Sequence, residues 1–392
     1  GKVASTGFYA NTVNQKFTFD ATDKLSFYAR GGYYDNKTRR PYEAYDYNIL
    51  HETFNYGIGA QYMINKGNYI TADCYADHFS SSYCFFKDNK TYNGKAGEEQ
   101  VRKRTRNHNL SIKGIFKLGN RHKLSVGTEY IVDVLKSQTD NIAKEDAYTL
   151  ALFAQDEIKL LRNLQALIGV RYIYHENFKN HATPNVALMY KPGKFNFRAS
   201  YAAGFRTPTL SELYATDIAK KNDRLTIGNL DLKPEKNNYF SLSAEYVHER
   251  FSVSVNAFYN NIRDMIDYNT IATGDKAMEQ YGHKEVRQRD NIAEAKVHGI
   301  NVSANAYLGA GFNLSGGYTH LNTQDVELEQ PIDKSIKNAY NINAQWAHSW
   351  KIYRLNINLN GRFNSKRFSK SYGYAPEYQL WDLNTRHSFN LK

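Results

Sequence analysis

The chain has 392 residues and a formal charge of +12, from 51 Lys and Arg against 39 Asp and Glu, enough for one large domain or two to three ordinary ones. Aromatic residues make up 14% (Tyr 32, Phe 21, Trp 3) at a mean hydropathy of −0.67, so the rings sit in a polar background. No run approaches the roughly 18 apolar residues of a spanning helix, which excludes a helical membrane protein, and 7 Pro among abundant Tyr, Phe, Val and Ile argue against a disordered tail.

In chain order, the sequence opens at Gly1 with no charged-then-apolar leader, so an export signal is expected to have been removed or to lie outside it. A first long polar loop at roughly 37–52 carries Tyr42, Tyr45 and Tyr47, rings suited to packing on a flat macrocycle or a catecholate. Next comes a strand-like stretch with the two cysteines, Cys74 and Cys84, too few for a disulfide scaffold and without zinc spacing. An extended strand would hold them about 33 Å apart, so a disulfide needs a reversal near Ser80 to Tyr83. The same stretch holds Asp77, His78, Ser80, Ser81 and Ser82, the one local cluster with hydrolase residue types. It sits on a predicted strand, and no catalytic residue is assigned. The basic run Arg102 to Arg106 (RKRTR) stands alone, without a recognition-helix pattern; it reads as a solvated loop, and nucleic acid is not an expected partner.

Beyond it the chain alternates with period 2. Phe195, Phe197, Ala199 and Tyr201 oppose Asn196, Arg198 and Ser200; Phe251, Val253, Val255, Ala257 and Tyr259 oppose Ser252, Ser254 and Asn256. Tyr340, Ile342, Ala344 and Trp346 oppose Asn341, Asn343 and Gln345. Tyr353, Leu355, Ile357, Leu359 and Phe363 oppose Arg354, Asn356, Asn358, Asn360 and Arg362. Each predicts a strand with one greasy and one wet side.

Short turns at 20–24, 65–68, 119–123, 161–163, 192–194 and 249–250 alternate with long polar loops at roughly 37–52, 87–104, 205–236, 267–290, 324–337 and 367–377. That alternation describes an all-β, antiparallel, up-and-down transmembrane barrel, with about 17 strands in this chain. Leu355, Ile357 and Leu359 are expected to face lipid, and Asn356, Asn358 and Asn360 a wet lumen. Tyr33, Tyr34, Tyr172, Tyr174, Tyr259, Trp346 and Trp350 are expected in the aromatic girdles at the two membrane boundaries.

One constellation carries a family resemblance. Tyr201 to Tyr214 reads YAAGFRTPTLSELY, and after an interval Asn229 to Lys236 reads NLDLKPEK. The residues concerned are Gly204, Phe205, Arg206, Pro208, Leu210, Glu212, Leu213 and Tyr214, then Asn229, Leu232, Pro234 and Glu235. The chain here resembles the TonB-dependent outer-membrane receptors, which carry a GFR-x-P-[ST]-L-x-E-L-[YF] stretch followed by N-x-x-L-x-P-E. AQDEIK (154–159), IGVRY (168–172), FYNNIRDMI (258–266) and NIAEAKVHGI (291–300) extend the likeness in order along the chain.

The resemblance implies a bacterial outer-membrane location and a barrel of about 22 strands with a plugged lumen, of which residues 1–392 would be one barrel domain. Neither the family's N-terminal plug with its energy-coupling segment nor its terminal aromatic strand is visible, so the chain is expected to be the central part of a receptor barrel. It also implies import of a scarce metal chelate, whether a ferric siderophore, heme or cobalamin. A passive porin and an importer of glycans or peptides are the alternatives. Implied partners are a TonB-type energy-coupling protein acting through the plug, outer-membrane lipid and lipopolysaccharide, the small chelate and possibly a surface lipoprotein. No resident cofactor or metal and no enzymatic activity are expected.

The residue types allow two roles for the motif. Pro208 and Pro234 cannot donate to a ladder, so they bracket a loop that leaves the sheet, and between them run Glu212, Lys220, Lys221, Asp223, Arg224 and Lys233. Arg206 and Glu235 either form an ion pair that fixes loop shape or touch the cargo. The charge of +12 suits an anionic cargo, or answers the negative lipopolysaccharide surface. Heme receptors of the family place a histidine between the two motifs, and the interval 209–228 has none; His51, His181 and His283, read as loop residues, remain as possible iron ligands. Candidate substrate contacts are Tyr42, Tyr45, Tyr47, Arg206, Arg224 and Tyr281.

Overall fold

A computed structural model describes residues 6–41, 45–219, 223–369 and 372–389. Nearly all of it is strand. In order come β1 (Gly7–Asp20), β2 (Leu25–Arg39), β3 (Tyr47–Asn65), β4 (Asn68–Phe85), β5 (Glu99–Leu118), β6 (His122–Ser137), β7 (Ile142–Leu161), β8 (Leu164–His175), β9 (Lys179–Tyr190) and β10 (Phe195–Arg206). A short helix α1 (Leu210–Tyr214) and the small strands β11 (Thr216–Ala219) and β12 (Arg224–Ile227) then interrupt the series. It resumes with β13 (Glu235–Val247), β14 (Phe251–Thr273), helix α2 (Gly274–Tyr281), β15 (Glu285–Gly309), β16 (Phe312–Asp325), β17 (Asn338–Ser349) and β18 (Tyr353–Asn364). The small hairpin β19 (Arg367–Ser369) and β20 (Gly373–Ala375) precedes β21 (Tyr378–Phe389).

Setting aside β11, β12, β19 and β20, seventeen strands pair antiparallel with their neighbours in sequence, β10 joining β13 and β18 joining β21 across the inserted loops. This matches the expected number and the up-and-down order. One parallel pairing, β12 on the outer stretch of β15, fastens the loop that carries it. Among the described residues β1 and β21 have no second neighbour, and both are exposed along their whole length. The turns on one side are tight. Between β3 and β4 only Lys66 and Gly67 intervene, and Gly67 takes a φ of +97°, which a side chain disfavours.

Register carries the alternation of each strand across the whole sheet. Phe240 of β13 lies opposite Tyr201 and Tyr259, and Leu242 opposite Ala199 and Ala257. The row continues through Ile300, Val302, Tyr318, Tyr340, Ile342 and Leu359 to Leu383. The opposite face is a hydrogen-bonded polar surface. Asn343 donates to Asn358 and Asn360 at 2.6 Å, Ser254 meets Ser303 at 2.7 Å, Arg171 bonds Glu129 at 2.5 Å and Tyr28 bonds Asp73. Leu355, Ile357 and Leu359 thus share the apolar face, and Asn356, Asn358 and Asn360 the polar one. Only a barrel wall, apolar toward lipid and polar toward a lumen, accommodates both.

Aromatic rows edge the apolar band. On the loop side Tyr130, Tyr148 and Tyr174 follow one another at 5.9 and 6.1 Å between ring centres. On the turn side Trp346, Trp350 and Tyr353 cluster, with Trp350 stacked on Tyr353 at 5.4 Å. From Tyr353 to Phe363 is about 34 Å of strand, or about 26 Å of height at a tilt near 40°, close to an outer-membrane apolar band. Tyr172, Tyr174, Tyr259, Trp346 and Trp350 take the expected girdle face. Tyr34 does not: Tyr33 pairs with Phe54 on the apolar face, so its neighbour Tyr34 projects to the polar one.

Three further expectations need correction. The long loops are shorter than the sequence suggests, because β14 runs on to Thr273 and β15 starts at Glu285, so the ladder continues well beyond the aromatic row. RKRTR is no solvated loop: it lies within β5, where a bulge sits opposite Ser81 and Ser82. Cys74 and Cys84, by contrast, lie as the sequence suggests on one extended strand, the unbroken β4, and without a reversal both are free thiols. Finally, His51 belongs to β3 and His181 to β9, so neither is a loop residue.

Candidate functional site

The candidate site occupies the loop end of the wall, where the segment between β10 and β13 folds inward. Thr209 caps α1: its hydroxyl accepts from the Glu212 backbone at 3.2 Å, while the Glu212 carboxylate accepts from the Thr209 backbone at 2.8 Å, a reciprocal capping box. Leu210 buries against Leu135, Ile142 and Ala147 of β6 and β7. Leu135 alternates with Asp133 and Glu129 on the polar face, so α1 lies across the lumenal side of the wall. Leu213 packs on Leu232 and Ile266, with Tyr214 and Phe178 around them.

Arg206, the last residue of β10, ties this loop at both ends. Its guanidinium bonds Glu235 at 2.6 and 2.8 Å and Glu212 at 2.9 and 3.3 Å. Glu235 also accepts from the Ile266 backbone at 2.8 Å, which joins β13 to β14 at the rim. The carboxylates are 13% and 16% exposed, and the arginine 43%. Burial works against ionising Glu212, but the Arg206 and Thr209 hydrogen bonds outweigh it and hold its carboxyl below the usual range. The bonds to Glu235 and Glu212 in turn hold Arg206 firmly charged.

The second motif closes the loop. Asn229 accepts from the Asp231 backbone at 2.9 Å, and its own N–H reaches the Glu212 carbonyl at 3.0 Å. Beside it Gly228 passes so near α1 that a Cβ there would sit 2.4 Å from the Leu213 carbonyl oxygen. Pro208 and Pro234 are buried, Phe205 stacks on His181 at 4.6 Å, and at Gly204 a Cβ would meet the Asn237 side chain at 2.3 Å. The twelve motif residues are thus brought together as a structural pin, and Arg206 is engaged on both sides by carboxylates.

Beside the pin, on the lumenal face of β3, β4 and β5, lies an aromatic nest. Tyr47 stacks on Tyr83 at 4.2 Å, Tyr92 stands edge-on to both at 5.6 and 5.1 Å, and Phe85 closes the base. Arg40 covers Tyr45 at 4.3 Å and Tyr47 at 5.3 Å, and Arg102 covers Tyr83 and Tyr92 at 5.3 and 5.2 Å. Arg102 also donates to Gln138 at 3.0 Å, and its buried Nε has no partner. Beside the nest opens a cavity of about 630 Å³ lined by Tyr92, Glu98, Gln100, Arg102, Lys103 and Lys136 among others.

Of the predicted substrate contacts, Tyr42 lies outside the described residues. Tyr45 and Tyr47 belong to the nest. Arg224 and Tyr281 sit elsewhere, around a small core of Ala272, Ala277 and Val286 that Leu225 and Ile227 of β12 also cover. His283 is paired with Asp223 at 2.9 Å and His181 stacks on Phe205. No cluster of His, Cys, Asp and Glu able to hold a metal occurs among the described residues. No local spacing singles out Tyr83, Phe85, Tyr92, Arg40 or Arg102. Their one signal was RKRTR, whose bulge turns Arg102 into the nest.

A profile described as TonB dependent receptor-like, beta-barrel matches residues 3–392. The chain belongs to the TonB-dependent receptor β-barrel family. Its barrel shares the outer-membrane location of that family. A variant ferric enterobactin receptor, PfeA, from Pseudomonas aeruginosa superposes with a TM-score of 0.82 at 15% identity, over 97% of this chain and 62% of the other. The FrpB iron transporter from Neisseria meningitidis gives 0.76 at 13% identity, over 98% and 65%. By sequence, the chain is 28% identical over 165 residues to a probable hemoglobin and hemoglobin-haptoglobin-binding protein 4 from Haemophilus influenzae, covering 39% of this chain and 16% of that one. The chain therefore spans under two thirds of these structural relatives' length and about a sixth of that sequence relative. In this TonB-dependent receptor the pin and the nest are neighbours, joined through Asp140, which accepts from Ser211 of α1 at 3.2 Å and pairs with Lys103 at 3.3 Å.

Proposed function

We propose that the complete receptor imports a metal chelate, a ferric siderophore, heme or cobalamin, in a step energised by a TonB-type protein through a plug held in the lumen. The observation that carries the reading is the nest at the mouth. Stacked tyrosines offer flat apolar faces, and Arg40 and Arg102 add fixed positive charge beside a basic cavity. A hydrogen-bonded polar lumen behind it gives a polar cargo a wet path. The names of the relatives agree in being iron-linked, siderophore receptors by structure and a hemoglobin binder by sequence. The missing histidine between the two motifs, and the engagement of His181 and His283, weigh toward a siderophore over heme.

Calorimetry of the full-length receptor with ferric siderophores, heme and cobalamin tests the reading. Tight binding of one of them, weakened at least tenfold by combined Tyr83→Ala and Arg102→Gln, is the expected result. Silence with all three, together with binding of an oligosaccharide or a peptide, would refute it. Steady conductance to large ions by the native receptor would make it a porin.

A further inference from the structure

His175 closes β8 one residue beyond Tyr174 of the loop-side aromatic row, and faces the lumen at 7% exposure. Its Nδ1 lies 3.1 Å from the Asn177 backbone nitrogen. A backbone N–H can only donate, so Nδ1 is the acceptor and must be unprotonated. The neighbouring histidine is arranged the other way. His181 of β9 has its Nε2 3.0 Å from the Phe178 carbonyl oxygen, which can only accept, so that nitrogen carries a proton and the bond survives in a charged ring. Two histidines flanking one turn therefore respond differently to acid, and His175 is the one that loses its bond.

What the turn carries gives this bond its consequence. Glu176 is fixed to β7: its N–H reaches the Tyr148 carbonyl at 3.0 Å and its carboxylate accepts from the Tyr148 backbone at 3.2 Å. Lys179, at a φ of +59°, donates to the Glu176 carbonyl at 2.9 Å. Between them Asn177 leans on His175, and Phe178 lies against the same imidazole at 5.0 Å between ring centres. Phe178 in turn packs on Leu213, Leu232 and Ile266, the core that seats α1 and the second motif. Burial pushes the His175 imidazole below its ordinary value; Asp133 of β6 and Glu176 on the turn pull against it, and His181 of β9 adds to the push. Lys179 lies opposite His175 on β9, uncharged Thr149 opposite it on β7, and Tyr214 of α1 packs with Phe178. The stabilisation from the neutral ring is complete above the ordinary imidazole value of about 6.5, and is lost as pH falls through the lower folded value.

We propose that His175 is an acid-sensitive latch on the inward-folded loop between β10 and β13. A proton on Nδ1 sets that nitrogen against the Asn177 N–H, two donors that cannot bond, so the ring turns away and draws Phe178 out of the core beneath α1. The latch does not depend on which cargo is carried, since neither His175 nor Phe178 belongs to the nest. It acts between neutral pH and about pH 5, above the range in which ordinary carboxylates titrate.

The test is amide hydrogen exchange of the full-length receptor at about pH 7 and pH 5, read by mass spectrometry and divided by the intrinsic rate at each pH. In the wild type, 176–178 and α1 are expected to exchange at least tenfold faster at the lower pH, while mid-strand amides of β16 and β17 hold. His175→Asn should abolish the step, because its amide oxygen accepts from the Asn177 N–H at either pH. His181→Gln should keep it. Phe178→Ala tests the lever without touching the histidine: the step should remain at 176–178 and vanish at α1. A wild type with no step, a step that survives in His175→Asn, or an α1 step unchanged in Phe178→Ala would each overturn the proposal.

Discussion

Replacing Arg206 by Ala should release the loop between β10 and β13 while leaving the wall folded. The side chain satisfies two carboxylates that are 13% and 16% exposed, and its loss leaves Glu212 and Glu235 facing each other without a counter-charge. Breaking a fully buried pair in this way costs about 3–5 kcal/mol. The arginine is 43% exposed, so solvent screening discounts the figure to about 2–3 kcal/mol. At about 1.4 kcal/mol per factor of ten, amide hydrogen exchange across the described parts of 207–234 should speed up about 30- to 150-fold. Amides in the middle of β16 and β17 should not change. The Arg206→Lys variant should fall between, because one ammonium cannot serve both carboxylates in forked geometry. Acid should act in the same direction. Glu212 has a lowered carboxyl pKa in the folded loop, so its stabilisation is present above the unfolded carboxyl value and is lost as pH drops through the folded one. Protection of the loop should therefore decline below about pH 4. Exchange in 207–234 that stays within threefold of wild type in Arg206→Ala would refute the pin.

Three further outcomes follow from the geometry. Leu359→Arg should destabilise the receptor by about 2–4 kcal/mol on refolding into vesicles, since the side chain meets lipid near mid-membrane. Asn360→Arg, one residue on and facing the lumen, should cost about 1 kcal/mol, the worth of the Asn343 hydrogen bond. Gly228→Ala should loosen the same loop as Arg206→Ala, by about 1–3 kcal/mol, because the new methyl meets backbone that has no rotamer to yield; limited proteolysis would read it. Cys74, exposed on the apolar face between Ile58 and Leu110, should react with a membrane-dissolved maleimide far faster than with an impermeant one, and oxidant should not link it to Cys84.

The wall was legible in the sequence because a barrel wall has a period of two and two different solvents. Asn356, Asn358 and Asn360 alternating with Leu355, Ile357 and Leu359 are intelligible only where both faces are satisfied, and pairing simply transmits that pattern from strand to strand. The motif was legible as a pair of stretches but not as a device. That Arg206 reaches two carboxylates at once depends on α1 folding back over β6 and β7, a tertiary contact made by Leu210 that no local spacing reveals. The nest was the least legible part. Its rings come from β3, β4 and the turn before β5, and Arg102 joins them only because a one-residue bulge breaks the alternation. A bulge reverses the side on which every residue beyond it projects, so reading RKRTR without the bulge assigns it the wrong environment.

The pin and the nest rest on different forces, and this separates their responses. The nest is held by ring stacking and by cations over rings, interactions that an entering aromatic or anionic chelate can share or replace. The pin is held by charge-assisted hydrogen bonds in fixed geometry, with Glu235 also committed to the Ile266 backbone of β14. A cargo that binds the nest therefore meets an adaptable surface with a fixed one directly beside it. Loosening the pin should then weaken chelate binding through loss of the fixed wall, without touching a residue that contacts the chelate. In Arg206→Ala the association rate should be nearly unchanged, because the steering charges at Arg40, Arg102 and Lys136 remain, while dissociation becomes faster. Stopped-flow measurement of both rates decides it. A change confined to the association rate would mean that Arg206 acts by attracting the cargo rather than by holding the loop.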